Sequence, residues 1–278
     1  MKLSSLFTTL ALLACTSLTM IGCADIGATG EDPYGATDKI LGGSNAKAPD
    51  WMVSILRNGR IHCGGTLIHK RWVLTAAHCV DTYHKSEYTV CVGKSRISRC
   101  TAQDMSGVRR VKRHSRFSRQ ALANGYDIAV LELKKSFDNR NLSPLARQGD
   151  EPSGSPKVRA RGWGVSGYEE GFDYPDRLQM VDLRYLNNER CSQLRPGLND
   201  NLICIEPVGR PGQAARRGTC HGDSGGPIHF NGIQLGIASY VSVNGVKQCT
   251  SDRPDVYTRI SSLSDWIQNK TNGDVVIN

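Results

Sequence analysis

The chain has 278 residues, 39% of them hydrophobic and 22% charged, a balance that excludes a disordered tail or a fibre and suits one large domain or two small ones. No apolar run reaches about 18 residues, so a multi-span membrane protein is excluded as well. The formal net charge is +9, which favours acidic surfaces or substrates without naming nucleic acid.

The first segment explains the compartment. Lys2 precedes an apolar stretch from Leu3 to Ile21, the pattern of a secretory signal over residues 1–24. Its exit is open. Leu12-Leu13-Ala14-Cys15 and Met20-Ile21-Gly22-Cys23 both read as lipidation boxes, whereas Gly22-Cys23-Ala24 also suits plain cleavage before Asp25. The protein is expected to be secreted or extracytoplasmic, touching a membrane only through such a lipid. Residues 40–278 carry 33 basic and 22 acidic side chains, a net of +11. Removing Cys15 and Cys23 leaves eight cysteines, at 63, 79, 91, 100, 191, 204, 220 and 249, an even number that suits a disulfide framework in an oxidising compartment. No Cys-x-x-Cys or Cys/His cluster of zinc spacing competes with that reading.

Beyond residue 40 the chain reads as short strands. Arg71–Thr75, Tyr126–Leu133 and Gly236–Val241 are apolar or alternating runs, with Asn58-Gly59 and Asn231-Gly232 as turns. The polar interval from Lys134 to Pro156 reads as a crossing between two halves. Leu263 to Asn272 reads as a helix capped by Ser264 or Asp265, with Leu263, Trp266 and Ile267 on one face. Asn141 and Asn269 open Asn-x-Ser/Thr triplets, acceptors only in a eukaryotic secretory pathway.

Chemistry enters at three places in a fixed order. Leu74-Thr75-Ala76-Ala77-His78-Cys79 puts a histidine after an apolar strand, and Asp127 opens the apolar run to Leu131. Cys220-His221-Gly222-Asp223-Ser224-Gly225-Gly226-Pro227 then places a serine in a glycine-dense turn, where backbone amides can face a ligand. Singly, each has a structural explanation. Together, and with Ile40-Leu41-Gly42-Gly43, Cys63-Gly64-Gly65-Thr66-Leu67-Ile68, Gly162-Trp163-Gly164 and Pro254-Asp255-Val256-Tyr257, the chain resembles the trypsin/chymotrypsin-like serine peptidases over about residues 40–270.

The resemblance implies an all-β fold of two six-stranded antiparallel barrels with the active site between them and a C-terminal helix. The peptidase domain would span residues 40–272: a first barrel over about 40–133, a second over about 157–262, and the helix over about 263–272 packed behind the second. It implies the pairs Cys63–Cys79, Cys191–Cys204 and Cys220–Cys249, leaving Cys91–Cys100 as an unusual hairpin bridge. That bridge falls where calcium-binding relatives carry acidic ligands; acids are few there, so no metal and no cofactor are expected.

The resemblance also implies roles. Ser224 would attack, His78 would act as base and then acid, and Asp127 would orient the imidazole, helped by Ser239; the amides of Gly222 and Ser224 would form the oxyanion hole. His221 would stand at the cleft rim. The substrates would be proteins or peptides. Cleavage after Lys39, by another protease or by the enzyme itself, would remove residues 25–39 and free the Ile40 amine to pair with Asp223. If Cys15 or Cys23 is lipidated, the same cut would release the enzyme. The specificity pocket departs from trypsin: Gly218 stands where an Asp is usual, followed by Thr219, while Asp255 and Val241 replace small residues and Tyr240 a common Trp. Asp255 would attract Lys or Arg unless Arg216, Arg217 or Arg253 neutralises it, and Val241 would favour smaller side chains. Specificity is therefore expected to be non-standard or broad. The family default is a monomer.

Two other functions compete. A catalytically silent homologue could act by binding, through the basic run Arg109–Arg116, but no triad residue is lost. A nucleic-acid binder rests on charge alone, with 6% aromatic residues and no recognised motif.

Overall fold

The computed structural model describes residues 42–165, 174–208, 217–241, 249 and 253–277. The signal and lipidation cysteines, the propeptide, Lys39, Ile40 and Arg216 lie outside the described residues.

Among the described residues the chain forms thirteen strands and two short helices. The first closed barrel takes β2 (Met52–Arg57), β3 (Arg60–His69), β4 (Trp72–Thr75), β5 (Tyr88–Val92), β6 (Met105–Arg113) and β7 (Ala129–Leu133), in the order β2-β3-β4-β7-β6-β5. The second takes β8 (Lys157–Gly162), β9 (Gln179–Leu186), β10 (Leu202–Glu206), β11 (Pro227–Phe230), β12 (Ile233–Tyr240) and β13 (Asp255–Arg259), closed by the β8–β9 pairing. Every pairing is antiparallel within a barrel, as closure of hairpin-linked strands requires. The two Asn-Gly pairs take the tight turns expected of them: Asn58 and Gly59 have φ of 50° and 75°, Asn231 and Gly232 48° and 83°.

Four differences from the sequence-based expectation have physical causes. The two-residue strand β1 (Ser44–Asn45) pairs with β9, so the chain touches the second barrel before it builds the first. Asp127 lies ahead of β7 rather than opening it, because its carboxylate accepts the His78 amide and the Ser239 hydroxyl and its carbonyl the Thr258 hydroxyl instead of joining the ladder. Helix α2 (Ser264–Lys270) has no side-chain cap; the 3-10 turn Ser261–Leu263 runs straight into it, with the Leu263 amide already bonded to Ile260. Its apolar face does not pack behind the second barrel. Ile260, Leu263, Ile267 and Val275 join the core of the first barrel, with the Trp72 indole N–H donating to Asp274 and the Lys112 ammonium to the Lys270 carbonyl.

The crossing from 134 to 156 is pinned to both halves. The Ser143 amide bonds Leu67 on β3, and Ala146 and Pro144 exchange backbone bonds with Gln234 on β12. Helix α1 (Asn188–Leu194) is capped by the Asn187 side chain accepting from the Arg190 amide. Disulfides join Cys63–Cys79, Cys91–Cys100, Cys191–Cys204 and Cys220–Cys249. The second links β5 to the segment before β6, inside the β5–β6 connection. The basic run is largely solvated surface on and after β6, where Arg109 and Arg110 both approach Glu132 at 3.5 Å.

Candidate active site

His78 sits on a single 3-10 turn, Ala77–Cys79, just past β4. Cys79 is bridged to Cys63 on β3, which fixes the turn to the barrel wall. Asp127 is fully buried, yet its carboxylate is satisfied. Oδ1 accepts the His78 amide at 2.9 Å; Oδ2 accepts the Ser239 hydroxyl at 2.6 Å and meets His78 Nδ1 at 2.7 Å. The Thr258 hydroxyl donates to the Asp127 carbonyl at 2.9 Å. Such a set of donors is what allows an ionised carboxylate out of water. With Nδ1–H committed to Asp127, Nε2 carries the basic lone pair. Among the described residues, Cys63, Cys79 and His78 form one cluster of metal-ligand type, but the two sulfurs are bonded to each other.

Ser224 is held by backbone rather than side-chain contacts. Its carbonyl accepts the Gly64 amide at 2.8 Å, and the next amide, Gly225, bonds Ala238 on β12 at 2.8 Å. Gly222 has φ of 97° and Gly225 of 75°, left-handed values that an L side chain resists. A Cβ on Gly225 would overlap the Thr75 hydroxyl and the Gly64 carbonyl, so this turn fits the first barrel only as glycine.

Asp223 accounts for the Gly-Trp-Gly motif. Its carboxylate accepts the amides of Gly164 and Cys220, each at 2.9 Å, and side chains at Gly162 or Gly164 would run into its oxygens. Complete burial raises its pKa to about 7; the two amides pull it down, and the charge of Asp255 adds to the rise.

Two cavities meet at His78, His221 and Ser224. One, of ≈ 220 Å³, runs between Thr219–Cys220 and Ser239–Val241. The other, of ≈ 420 Å³, runs past the Cys63–Cys79 bridge toward Tyr83, Arg119 and Tyr174. Thr219 lines the first cavity and donates to Oδ2 of the buried Asp255 from both amide (3.2 Å) and hydroxyl (2.7 Å). Gly218 lies against Pro207 and Asp255, and neither Gly218 nor Asp255 is among the residues lining that cavity. Val241 lines the same cavity and packs on Val165 and the Cys220–Cys249 bridge. Arg217 is exposed and its backbone pairs with Val208.

Several residues at the site were not singled out by sequence. Arg195, just past α1, donates twice to the Pro254 carbonyl and lies 5.7 Å over the Tyr240 ring. Burial lowers its pKa, which the nearby Tyr240 and Asp255 raise in part. Tyr174 packs against Gly222, Thr258 holds Asp127, and Arg119 reaches the histidine turn. None lies in a motif. Only Asp81, an acid three residues after His78 in need of a cation, hints at Arg119.

The trypsin family model matches residues 40–267. Human serine protease 1 is similar at 30% identity, over 85% of this chain and 91% of the relative. Chicken trypsin II-P29 is 31% identical over 87% and 94%, respectively. Among solved structures, neuropsin, a serine protease of mouse brain, superposes with a TM-score of 0.69 at 27% identity, covering 84% of this chain and all of that one. By sequence and by architecture alike, the chain belongs to the trypsin family of serine endopeptidases.

Proposed function

We propose that the protein hydrolyses internal peptide bonds through an acyl-enzyme on Ser224. The observation that carries this reading is the bonded chain Ser239–Asp127–His78, which opens onto the cavity that Ser224 lines. A serine hydroxyl is a weak nucleophile until a base removes its proton. His78, through Nε2, takes that proton during attack and delivers it to the leaving amine. Asp127 fixes the tautomer and stabilises the imidazolium. The amides of Gly222 and Ser224 receive the oxyanion, each such donor contributing about 3 kcal/mol to the transition state.

Activation follows from Asp223. A buried carboxylate that accepts only backbone amides among the described residues is costly to ionise. Cleavage after Lys39 supplies the Ile40 ammonium as its partner and sets the Gly222 amide at the same time. The 25–39 segment leaves with that cut, and any lipid on Cys15 or Cys23 leaves with it. For specificity, Asp255 receives Lys or Arg while Val241 limits bulk, so the enzyme accepts basic residues without being restricted to them. Arg195 tempers the attraction.

A fluorophosphonate probe tests the central reading. The activated enzyme is expected to label at Ser224 and cleave peptides, and Ser224→Ala to do neither. Cleavage by Ser224→Ala near the parent rate would overturn the assignment; a folded, activated parent that never labels would point to a silent homologue.

A further inference from the structure

The turn that carries His78 is three residues long and has few bonds of its own. The carbonyl of His78, the turn's middle residue, accepts from Nη2 of Arg119 at 2.8 Å. The same guanidinium clasps the Asp81 carboxylate, Nε to Oδ2 at 3.1 Å and Nη2 to Oδ1, and Asp81 is only three residues beyond the histidine. Thr82 closes the arrangement by donating to Asp81 Oδ1 at 2.8 Å. Burial opposes the charge on Asp81, but the bonds from Arg119 and Thr82 outweigh it and hold the carboxyl below its usual range.

Arg119 belongs to a different segment. It opens the 3-10 stretch Arg119–Asn124, which closes at Gly125 with φ of 71°, two residues before Asp127. One planar, five-donor group therefore ties the turn bearing the imidazole to the segment leading into the carboxylate. A lysine could supply the charge but not the fork. The Arg119 side chain is about half exposed while that of Asp81 is largely buried, and Arg119, with Thr82, lines the cavity that continues past His78 and Ser224.

We infer that Arg119 is a positioning residue for His78, a clamp between the two first-barrel segments of the proposed triad; this rests on the serine-peptidase reading above. It touches no reacting atom. Its contribution is to hold the imidazole in the one orientation from which Nε2 serves Ser224, and a displacement of about 1 Å is enough to cost up to about 100-fold in rate.

The experiment compares Arg119→Ala, Arg119→Lys and Asp81→Asn with the activated parent. Three readouts are followed: kcat and KM on one peptide, the rate of fluorophosphonate labelling, and the thermal midpoint. Arg119→Ala is expected to lower kcat and the labelling rate together, by about 10- to 100-fold, with KM changed by less than about threefold. Arg119→Lys should recover part of this loss. Adding Asp81→Asn to Arg119→Ala should cost little more, since the pair acts as one unit. Unchanged kcat and labelling would overturn the proposal, as would a loss confined to KM, which would make Arg119 a substrate contact. If Arg119→Ala is too unstable to assay, Arg119→Lys and Asp81→Asn carry the test, and parental kcat in both would equally overturn it. A parent that labels normally beside an unaffected Arg119→Ala refutes the clamp alone; a parent that does not label refutes the peptidase reading itself.

Discussion

The two barrels fix their parts of the site by opposite means. On the first, His78 and Asp127 are held by side chains: each other, Arg119, Ser239 and Thr258. On the second, Ser224 is held where a Cβ has no room, by glycines at 222, 225 and 226 packed against Tyr174, Thr75 and neighbouring backbone, and by a carboxylate lying on Gly162 and Gly164. The bonds also cross over. Ser239 and Thr258 reach from the second barrel to Asp127, and Gly64 reaches from the first to Ser224. Side-chain bonds tolerate small adjustments, whereas a backbone packed without Cβ atoms either fits or does not. The serine half is therefore the natural place for an on–off control.

The largest expected effect probes that control. Asp223 keeps its proton in the folded chain up to about pH 7, while the unfolded chain releases it near pH 4. Between those values the folded state binds more protons, so its stability falls as pH rises, by on the order of 4 kcal/mol at completion. With the Lys39–Ile40 bond intact, denaturant unfolding from pH 4.5 to 7.5 should show this loss relative to Asp223→Asn; after cleavage the difference should vanish. The same slope in Asp223→Asn, or no change on cleavage, would break the proposed link between activation and the serine turn.

A second test separates backbone angle from packing. Gly59 and Gly225 share φ of 75°, but Gly59 has nothing within 4 Å of a Cβ and Gly225 has Thr75 and Gly64. Gly59→Ala should cost about 1 kcal/mol of stability, the left-handed penalty alone. Gly225→Ala should cost about 3 kcal/mol and abolish probe labelling, because a rigid core must shift as well. Equal losses in equilibrium unfolding would mean that the serine turn can yield to a Cβ as easily as an open hairpin does.

The smallest effect concerns the pocket. Asp255→Asn can keep the bond from Thr219 while removing the charge. Cleavage after Lys and Arg should fall about 10-fold relative to Ala, Val and Leu substrates, the scale of a lost charged hydrogen bond. An unchanged substrate profile would remove Asp255 from the specificity argument and leave Arg195 as its internal partner.

Much of this was legible in the sequence because glycines, cysteines and the motifs of the proposed triad leave local marks. The Ser224 turn, the Asn-Gly hairpins and the strands around Leu74 and Leu131 could be read in place. The site was less so where a residue acts at long range. Arg119 meets Asp81 across 38 positions and Thr258 meets Asp127 across 131, and neither lies in a pattern of its own. The docking of α2 was also hidden: a helix with Leu263 and Ile267 on one face needs an apolar partner, but nothing in that periodicity says which barrel supplies it.

That docking bears on how the molecule comes into being. Val53, Leu74 and Leu131 share one apolar interior with Ile260, Ile267 and Val275, so the half made first is completed by residues made about 130 positions later. Closing such long loops is slow and leaves apolar surface open in the meantime. A nascent chain that ends before β12 would hold His78 and Asp127 on an unfinished wall, without Ser239 or Thr258 to seat the carboxylate. On the proposed reading, hydrolytic competence therefore arrives late in folding, only once nearly the whole polypeptide is present, a restraint on the maturing chain's own activity that is independent of the proposed processing at Lys39.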